Sequence, residues 1–358
     1  MTPLRSAHLT AAATPARVAA CALAALLCVN AGAAENGNQR YSAGIGGSDM
    51  TAPLMPGWYV QAPVVAYHAK RIKGDDGKQA TRGFTSPVPF RAKVGAEIDV
   101  RAVQPRVTYI DNTRWLGANL GFTMMLPIVQ RHGDFSLTAP DLGLGAPTQG
   151  FVQAGLNAAA TNLSRSAAGI GDFEFGGIMH WELADNQALT LVNTFVVPTG
   201  DYDPEKRLNA GFGNFYTFRP SIQYSYIGDG WDFGVRGVLS FNTRNKETGY
   251  RSGNMANVDF QLMKFVTEDI RVGLQGFAVH QFQNDSQDVS YIAGNPQIQP
   301  AEIINGNRMR GYGLGPAVGW LKDGGDMMVE GKFIKEFGAR NRTEGQAFWL
   351  TISKPLGL

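Results

Sequence analysis

Ten polar residues, each set between apolar neighbours, are the side chains of this 358-residue chain best placed for chemistry. Glu97 and Asp99, for example, alternate with Ala96, Ile98 and Val100. Carboxylates, guanidinium groups and amides on one face of a sheet could line a pore and set its selectivity. The same groups could instead pair with one another and fill the interior. The ten are Glu97, Asp99, Arg101, Asp172, Glu174, His180, Arg219, Arg236, Asp259 and Gln261.

The histidines do not predict a metal or a catalytic centre. His68, His132, His180 and His280 show no metal-binding spacing such as His-x-x-x-His, so we expect no metal and no cofactor. A lipid hydrolase would need a serine beside His180 at a lipid-facing rim. No nucleophile motif stands out, and we expect no enzyme activity.

The elements that must position these residues are strands. In "WLGANLGFTMMLPIV" (Trp115–Val129) every second residue is apolar, and the residues between are mostly small or polar. This period of two places alternate side chains on opposite faces of a sheet. The pattern recurs in about twelve stretches between Trp58 and Pro355. Pro220 and Pro316 lie inside such stretches, and we expect β-bulges there.

The connections between the strands alternate in length. Short turns such as "DNT" (Asp111–Thr113), "ADN" and "IGDG" alternate with long connections such as Arg131–Gly169 and Thr199–Gly213. This layout is typical of outer-membrane barrels, whose apolar side chains face lipid and whose polar side chains face the lumen. A closed barrel also leaves no unpaired strand edge in hydrocarbon. The sequence therefore predicts an all-β, antiparallel, up-and-down transmembrane barrel of about twelve strands, with both termini on the periplasmic side.

Composition and the N-terminus agree with an exported barrel. Glycine is abundant (44 residues), charged residues make up only 17%, and no run of 18 apolar residues predicts a membrane-spanning helix. Residues 1–33 have the charge, apolar core and small residues of a signal peptide. The chain's two cysteines, Cys21 and Cys28, lie inside it. The mature chain would carry no net charge, which gives no reason to expect nucleic-acid binding.

The remaining divisions leave alternatives open. Residues 34–57 are polar and glycine-rich, and could form a periplasmic tail or a plug inside the lumen, ahead of a barrel over residues 58–358. The Arg131–Gly169 connection is rich in alanine and glycine, and could be a lid over the mouth or a surface loop.

Four stretches resemble the outer-membrane proteins associated with the meta-pathway of phenol degradation. They are "GIGDFEFGGIMHWEL" (Gly169–Leu183), "VVPTGDYDPEKRLNAGFGNFYTFRPSIQYSY" (Val196–Tyr226), "FNTRNKETGYRSGNMANVDF" (Phe241–Phe260) and "VGLQGFAVHQFQNDS" (Val272–Ser286). The resemblance implies a barrel in the outer membrane that passes small hydrophobic or aromatic solutes. Its other expected partners are outer-membrane lipid, lipopolysaccharide and the barrel-assembly machinery. The chain departs from the usual aromatic last residue of such barrels, since it ends in "SKPLGL".

Three functions follow from these observations. The first is a passive channel for small hydrophobic or aromatic compounds. The second is a closed structural or adhesive barrel whose lumen is filled by ion pairs. The third is a barrel lipid hydrolase built around His180.

Overall fold

The computed structural model describes residues 39–288, 290–291 and 306–357, so the predicted signal peptide lies outside the described residues. Among the described residues a short 3-10 helix (Ser48–Met50) comes first, and an α-helix, α1, spans Ala146–Leu163. The strands are β1 (Gly57–Lys73), β2 (Thr81–Phe84), β3 (Phe90–Val103), β4 (Arg106–Trp115), β5 (Ala118–Met125), β6 (Ile128–Thr138), β7 (Arg165–Ile170), β8 (Phe173–Ala184), β9 (Gln187–Val197), β10 (Thr217–Gly228), β11 (Trp231–Asn242), β12 (Tyr250–Arg251), β13 (Met255–Phe265), β14 (Ile270–Gln281), β15 (Ser286–Gln287), β16 (Arg310–Lys322), β17 (Met327–Arg340) and β18 (Arg342–Gly357).

Twelve of these strands form a closed antiparallel barrel. In order around the ring they are β1, β4, β5, β8, β9, β10, β11, β13, β14, β16, β17 and β18. The last strand pairs with the first, from Trp58 opposite Gly357 to Lys73 opposite Arg342. The predicted all-β barrel of about twelve strands is confirmed.

The two ends of the barrel differ, as the connection lengths predict. At one end, here called the short-turn end, tight turns join neighbouring strands. The turn between β4 and β5 is Leu116–Gly117, where both residues have positive φ (52° and 79°). The predicted turn at Asp111–Thr113 is wrong, because those residues lie within β4 at a register irregularity. The opposite end is called the long-loop end.

The outer face of the barrel carries an apolar band between two groups of aromatic residues. At the long-loop end Phe175, Phe195, Phe218 and Phe241 lie side by side on adjacent strands, with ring centroids 5.0–6.4 Å apart. At the short-turn end Trp231 begins β11, ten residues before Phe241. Ten residues at ~3.3 Å each, tilted by ~40°, span about 25 Å along the axis. That matches the apolar band of outer-membrane barrels.

Three neighbouring strands extend the wall beyond this band. β3, β6 and β7 continue β4, β5 and β8 after breaks at Gln104–Pro105, Leu126–Pro127 and Gly171–Asp172. The inner face of β3 and β6 is apolar and packs with helix α1, through residues such as Val94, Leu137 and Leu156. The Arg131–Gly169 connection is therefore not one loop. It contains most of β6, helix α1 and most of β7, because apolar residues of β6 pack against helix α1 and β7 pairs with β6.

The two prolines expected at bulges lie in regular strands. Pro220 pairs with Asn193 and Pro316 pairs with Leu274, and neither strand shifts register at these positions. Each proline instead interrupts pairing with only one neighbouring strand, while the register continues on both sides of the gap. The expectation of bulges is wrong here.

None of the helices in the described residues is long and apolar enough to cross a membrane.

Candidate functional site

An N-terminal segment, residues 39–56, lies inside the barrel; we call it the plug. It begins near the long-loop end, where the Arg40 guanidinium donates to the carbonyl of Phe215 at 2.6 Å. It ends at the short-turn end, where the Tyr59 hydroxyl donates to the carbonyl of Met55 at 2.6 Å. Between these points the plug contacts side chains of five strands, so it crosses the lumen along its length.

Asp259 of β13 is the main acceptor for the plug. Its carboxylate accepts hydrogen bonds from the backbone amides of Gly44 (3.0 Å) and Gly46 (3.1 Å) and from the Tyr41 hydroxyl. Asp259 is fully buried. A buried carboxylate is stable only when its lone pairs are satisfied, and here the plug satisfies them.

A second anchor lies on β17. The Glu330 carboxylate accepts hydrogen bonds from the Ser48 backbone amide (3.0 Å) and the Ser48 hydroxyl. The Lys332 ammonium donates to the carbonyl of Gly46 at 2.7 Å. Gln275 on β14, which is separated from β17 by β16, donates to Glu330 at 2.8 Å. The anchor therefore fixes both the backbone and a side chain of the plug.

Glycines allow the plug backbone to approach the wall this closely. Gly44 has φ of +82°, a conformation that other residues adopt with strain. A Cβ atom at Gly46 would lie 2.8 Å from the Cβ of Asp259, and one at Gly47 would collide with the Glu330 carboxylate. The glycines of "AGIGGSD" (Ala43–Asp49) therefore lie where a larger side chain would strain the plug backbone or collide with the barrel wall.

Asp49 connects the plug to two arginines of the wall. Its carboxylate lies 2.6 Å from the Arg236 guanidinium on β11 and 3.4 Å from that of Arg106 on β4. The single Asp49 carboxylate therefore forms ion pairs with two guanidinium groups on different strands of the wall.

A cavity of about 610 Å³ lies between the plug and the wall formed by β4, β5, β8, β9 and β10. Side chains on paired strands make its wall, with hydroxyls from Thr108 and Thr123 only 3.1 Å apart. The cavity reaches the short-turn end at Gly324–Asp326. The remaining wall is both apolar and polar, and includes Met125, Glu174, Ile178, Thr190, Val192, Thr194, Arg219, Ser221, Gln223 and Val238.

A denser layer separates this cavity from the long-loop end. Asp172 forms an ion pair with Arg40 at 2.8 Å. It also accepts the backbone amides of Gly200 (3.1 Å) and Phe212 (3.3 Å), which fold the β9–β10 loop into the mouth. Arg131 lies over the Phe212 ring at 4.6 Å from its centroid. The structure is therefore closed on the long-loop side of the cavity.

Seven of the ten sequence-predicted residues lie on the inner face of the barrel. Arg219 forms a bidentate ion pair with Glu174, at 2.9 and 3.1 Å. Gln261 donates to the plug residue Thr51 at 2.9 Å. His180 is buried and its Nδ1 lies 2.9 Å from the Thr190 hydroxyl, away from any lipid-facing rim. The seven are Asp172, Glu174, His180, Arg219, Arg236, Asp259 and Gln261.

The structure does not bring Glu97, Asp99 and Arg101 together with the other seven. They lie on the outer face of β3, in the extension beyond the apolar band, where polar side chains meet water. Asp99 contacts His68 at 2.9 Å. In the described residues, the one group of three or more His, Cys, Asp or Glu side chains whose possible metal-ligand atoms all lie within 4.8 Å of one another is His68, Glu97 and Asp99. The alternation holds in β3, but its apolar face points inward to helix α1.

Several residues that form the site were not predicted to do so. They are the wall residues Arg106, Gln275, Glu330 and Lys332. A plug was one of two alternatives for residues 34–57, and its contact residues were not predicted. The run of glycines followed by Ser48 and Asp49 was the available signal, since it combines close backbone approach with two polar side chains. Their partners are distant in sequence: Ser48 and Glu330 are 282 residues apart.

A solved outer membrane channel shares the fold of this chain. The COG4313 outer membrane channel from Pseudomonas putida F1 aligns with a TM-score of 0.63 at 12% identity, covering 87% of this chain and 99% of that chain. The beta domain of the Bordetella autotransporter BrkA aligns with a TM-score of 0.45 at 7% identity, covering 84% and 100%. The translocator domain of NalP from Neisseria meningitidis aligns with a TM-score of 0.44 at 8% identity, covering 86% and 92%.

Sequence comparison identifies the family. No curated protein sequence matches the chain. Residues 69–352, most of the barrel, match the model of the family described as "Putative MetA-pathway of phenol degradation", and the chain belongs to this family.

Proposed function

We infer that the protein is an outer-membrane channel for small hydrophobic and aromatic compounds, which pass by diffusion once the plug moves. The cavity beside a noncovalently held plug is the observation that carries this proposal. The family description refers to phenol degradation, and the Pseudomonas putida protein of similar fold is an outer membrane channel. The protein needs no cofactor and no catalytic group for this role.

The path runs along the barrel axis. The short-turn end faces the periplasm, as in other bacterial barrels, and the apolar band contacts lipid and lipopolysaccharide. A solute enters at the long-loop end, beside helix α1 and the β9–β10 loop. It then passes the layer that contains Tyr41 and Ile45 of the plug and enters the cavity. Because these plug residues are buried against the wall, passage requires the plug to shift.

Uptake of radiolabelled toluene by intact Gram-negative cells tests the proposal. Cells that produce the protein should take up toluene several-fold faster than cells that do not. A Ser221→Trp variant should reduce this gain, because its side chain fills the cavity. Ile222→Trp is the matched control, since Ile222 is the next residue of β10 and is 52% exposed on the outer face. Equal uptake with and without the protein would contradict the proposal.

A permanently closed structural barrel is the second candidate, and the buried ion pairs of the lumen favour it. Arg271 pairs with Asp232, and both are almost fully buried. Single-channel recording separates the two candidates. A channel gives conductance steps as the plug shifts, whereas a permanently closed barrel gives none.

A further inference from the structure

The charged groups that line the cavity are not balanced. Three guanidinium groups face two carboxylates there: Arg106, Arg219 and Arg236 against Asp49 and Glu174. Arg271 also borders the cavity, but it pairs with Asp232. At the short-turn end Lys354 and Asp326 offset each other. Among the side chains that face the cavity, guanidinium groups therefore outnumber carboxylates by one. The remaining nearby carboxylate, Asp259, is the cross-strand partner of Arg236 and accepts hydrogen bonds from the plug outside the cavity lining.

Of the three arginines, Arg106 has the longest contact with a carboxylate. Glu174 is committed to Arg219 through two hydrogen bonds. Asp49 lies 2.6 Å from Arg236 but 3.4 Å from Arg106, so its closer partner is Arg236. Arg106 is left with the longer contact.

The Arg106 guanidinium also retains a donor that faces the cavity. Its Nη1 donates to the amide oxygen of Gln61 at 3.1 Å. Its Nη2 contacts the sulfur of Met125 at 3.7 Å, and a thioether is a weak acceptor. The Arg219 Nε is also buried without an acceptor in the described residues. Both arginines line the cavity and keep N–H groups that a ligand could satisfy.

The wall beside Arg106 suits an aromatic ring. Met125 is its cross-strand partner, and Thr108 and Thr123 supply hydroxyls in the next row. Ile178 and Val192 continue the wall with apolar surface. A ligand with an anionic group at one end and an apolar ring at the other therefore matches this surface in both charge and polarity.

We propose that the cavity selects small aromatic anions, such as arenecarboxylates, and that Arg106 is the residue that determines this selectivity. The anionic group binds Arg106 Nη2, and the ring packs against Met125 and Ile178. This inference rests on the proposed channel function and names its preferred solute class. Removing Arg106 takes one positive charge away from the cavity lining, which lowers the preference for anions over cations.

Reversal potentials in planar bilayers test this selectivity. Benzenesulfonate and phenyltrimethylammonium serve as probes, because they are similar in size and keep their charges at all pH values. The wild-type protein should pass the anion about tenfold more readily than the cation. Arg106→Gln should bring the ratio close to one, and Arg106→Lys should restore it. This ratio does not depend on how often the plug is displaced.

Arg101→Gln is the matched control, because Arg101 lies five residues away on the outer face, and its ratio should equal that of the wild type. A wild-type ratio of one, or an unchanged ratio in Arg106→Gln, would overturn the inference. Toluene uptake with no anion preference would overturn this inference while leaving the channel intact. Absence of toluene uptake and of all conductance would overturn both.

Discussion

In both halves of the lumen the strands alternate inward and outward side chains, but the inward side chains bind the plug in one half and line the cavity in the other. On β13, β14 and β17 the inward side chains bind the plug, and Asp259, Gln261, Gln275, Glu330 and Lys332 are each at most 2% exposed. On β4, β5, β8 and β9 the inward side chains line the cavity, and Thr108, Thr123, Val192 and Thr194 are only partly buried. Alternation thus decides which side chains face inward. The position of the plug decides which of them are covered.

The difference between the halves has an energetic consequence. Charged groups of the plug-binding half are buried, so removing one partner leaves another without compensation, at a cost of about 3–5 kcal/mol. Partly exposed polar groups of the cavity half, such as Thr108, Thr123 and Thr194, can be solvated when the plug is in place. Substitutions should therefore affect closure in one half and solute preference in the other.

Asp259→Ala should have the largest effect on closure. It removes the acceptor of Tyr41, Gly44 and Gly46 together. In a Ser42→Cys background, the labelling of that cysteine by a maleimide should accelerate by at least about tenfold as the plug is released. Asp99→Ala, on the outer face, should leave labelling unchanged. Slow labelling in Asp259→Ala would show that this carboxylate does not hold the plug.

Gly47→Ala should have an intermediate effect. The new methyl group overlaps the Glu330 carboxylate, and overpacking of this kind costs about 1–3 kcal/mol. Toluene uptake should rise because the plug is seated less firmly. Gly177→Ala is the control, since a methyl group there meets no atom within 4 Å. Equal uptake by the two variants would contradict the close fit of the plug motif.

Thr194→Val should have the smallest effect on stability. Thr194 borders the cavity, so the free energy of unfolding should change by less than about 0.5 kcal/mol. Thr217→Val, on the next strand, should cost about 1–3 kcal/mol, because the Thr217 hydroxyl is buried and bonded to Asn242 and Arg40. Thermal unfolding followed by electrophoretic mobility compares the two. Similar losses in the free energy of unfolding of the two variants would contradict the distinction between the buried and the cavity-lining parts of the lumen.

The barrel could be predicted from sequence because lipid imposes a regular pattern on the strands. Arg219 and Glu174, for example, alternate with outward Phe218 and Phe175, and both lie in the lumen as the pattern predicts. The same pattern failed for Asp99, since β3 continues beyond the apolar band. There water replaces lipid outside and helix α1 covers the inside.

The plug could not be placed from sequence because it has no periodic pattern. Its glycines are consistent with a free tail as much as with a bound segment. The contacts that fix it join Gly44 to Asp259 and Ser48 to Glu330, pairs that only the closed barrel brings together. Helix α1 was missed for a related reason: its alanines and glycines carry little amphipathic signal, and its packing partners are on β3 and β6.

The central claim, that solutes pass only when the plug moves, is tested most directly by locking the plug to the wall. A Cβ atom at Gly234 would lie 3.1 Å from the Cβ of Met50, so Met50→Cys with Gly234→Cys can form a disulfide after a small shift. Toluene uptake by cells carrying the oxidised double variant should fall to that of cells without the protein, and a reductant should restore it. Each single variant should be unaffected by oxidation. Undiminished uptake through the locked barrel would contradict the account.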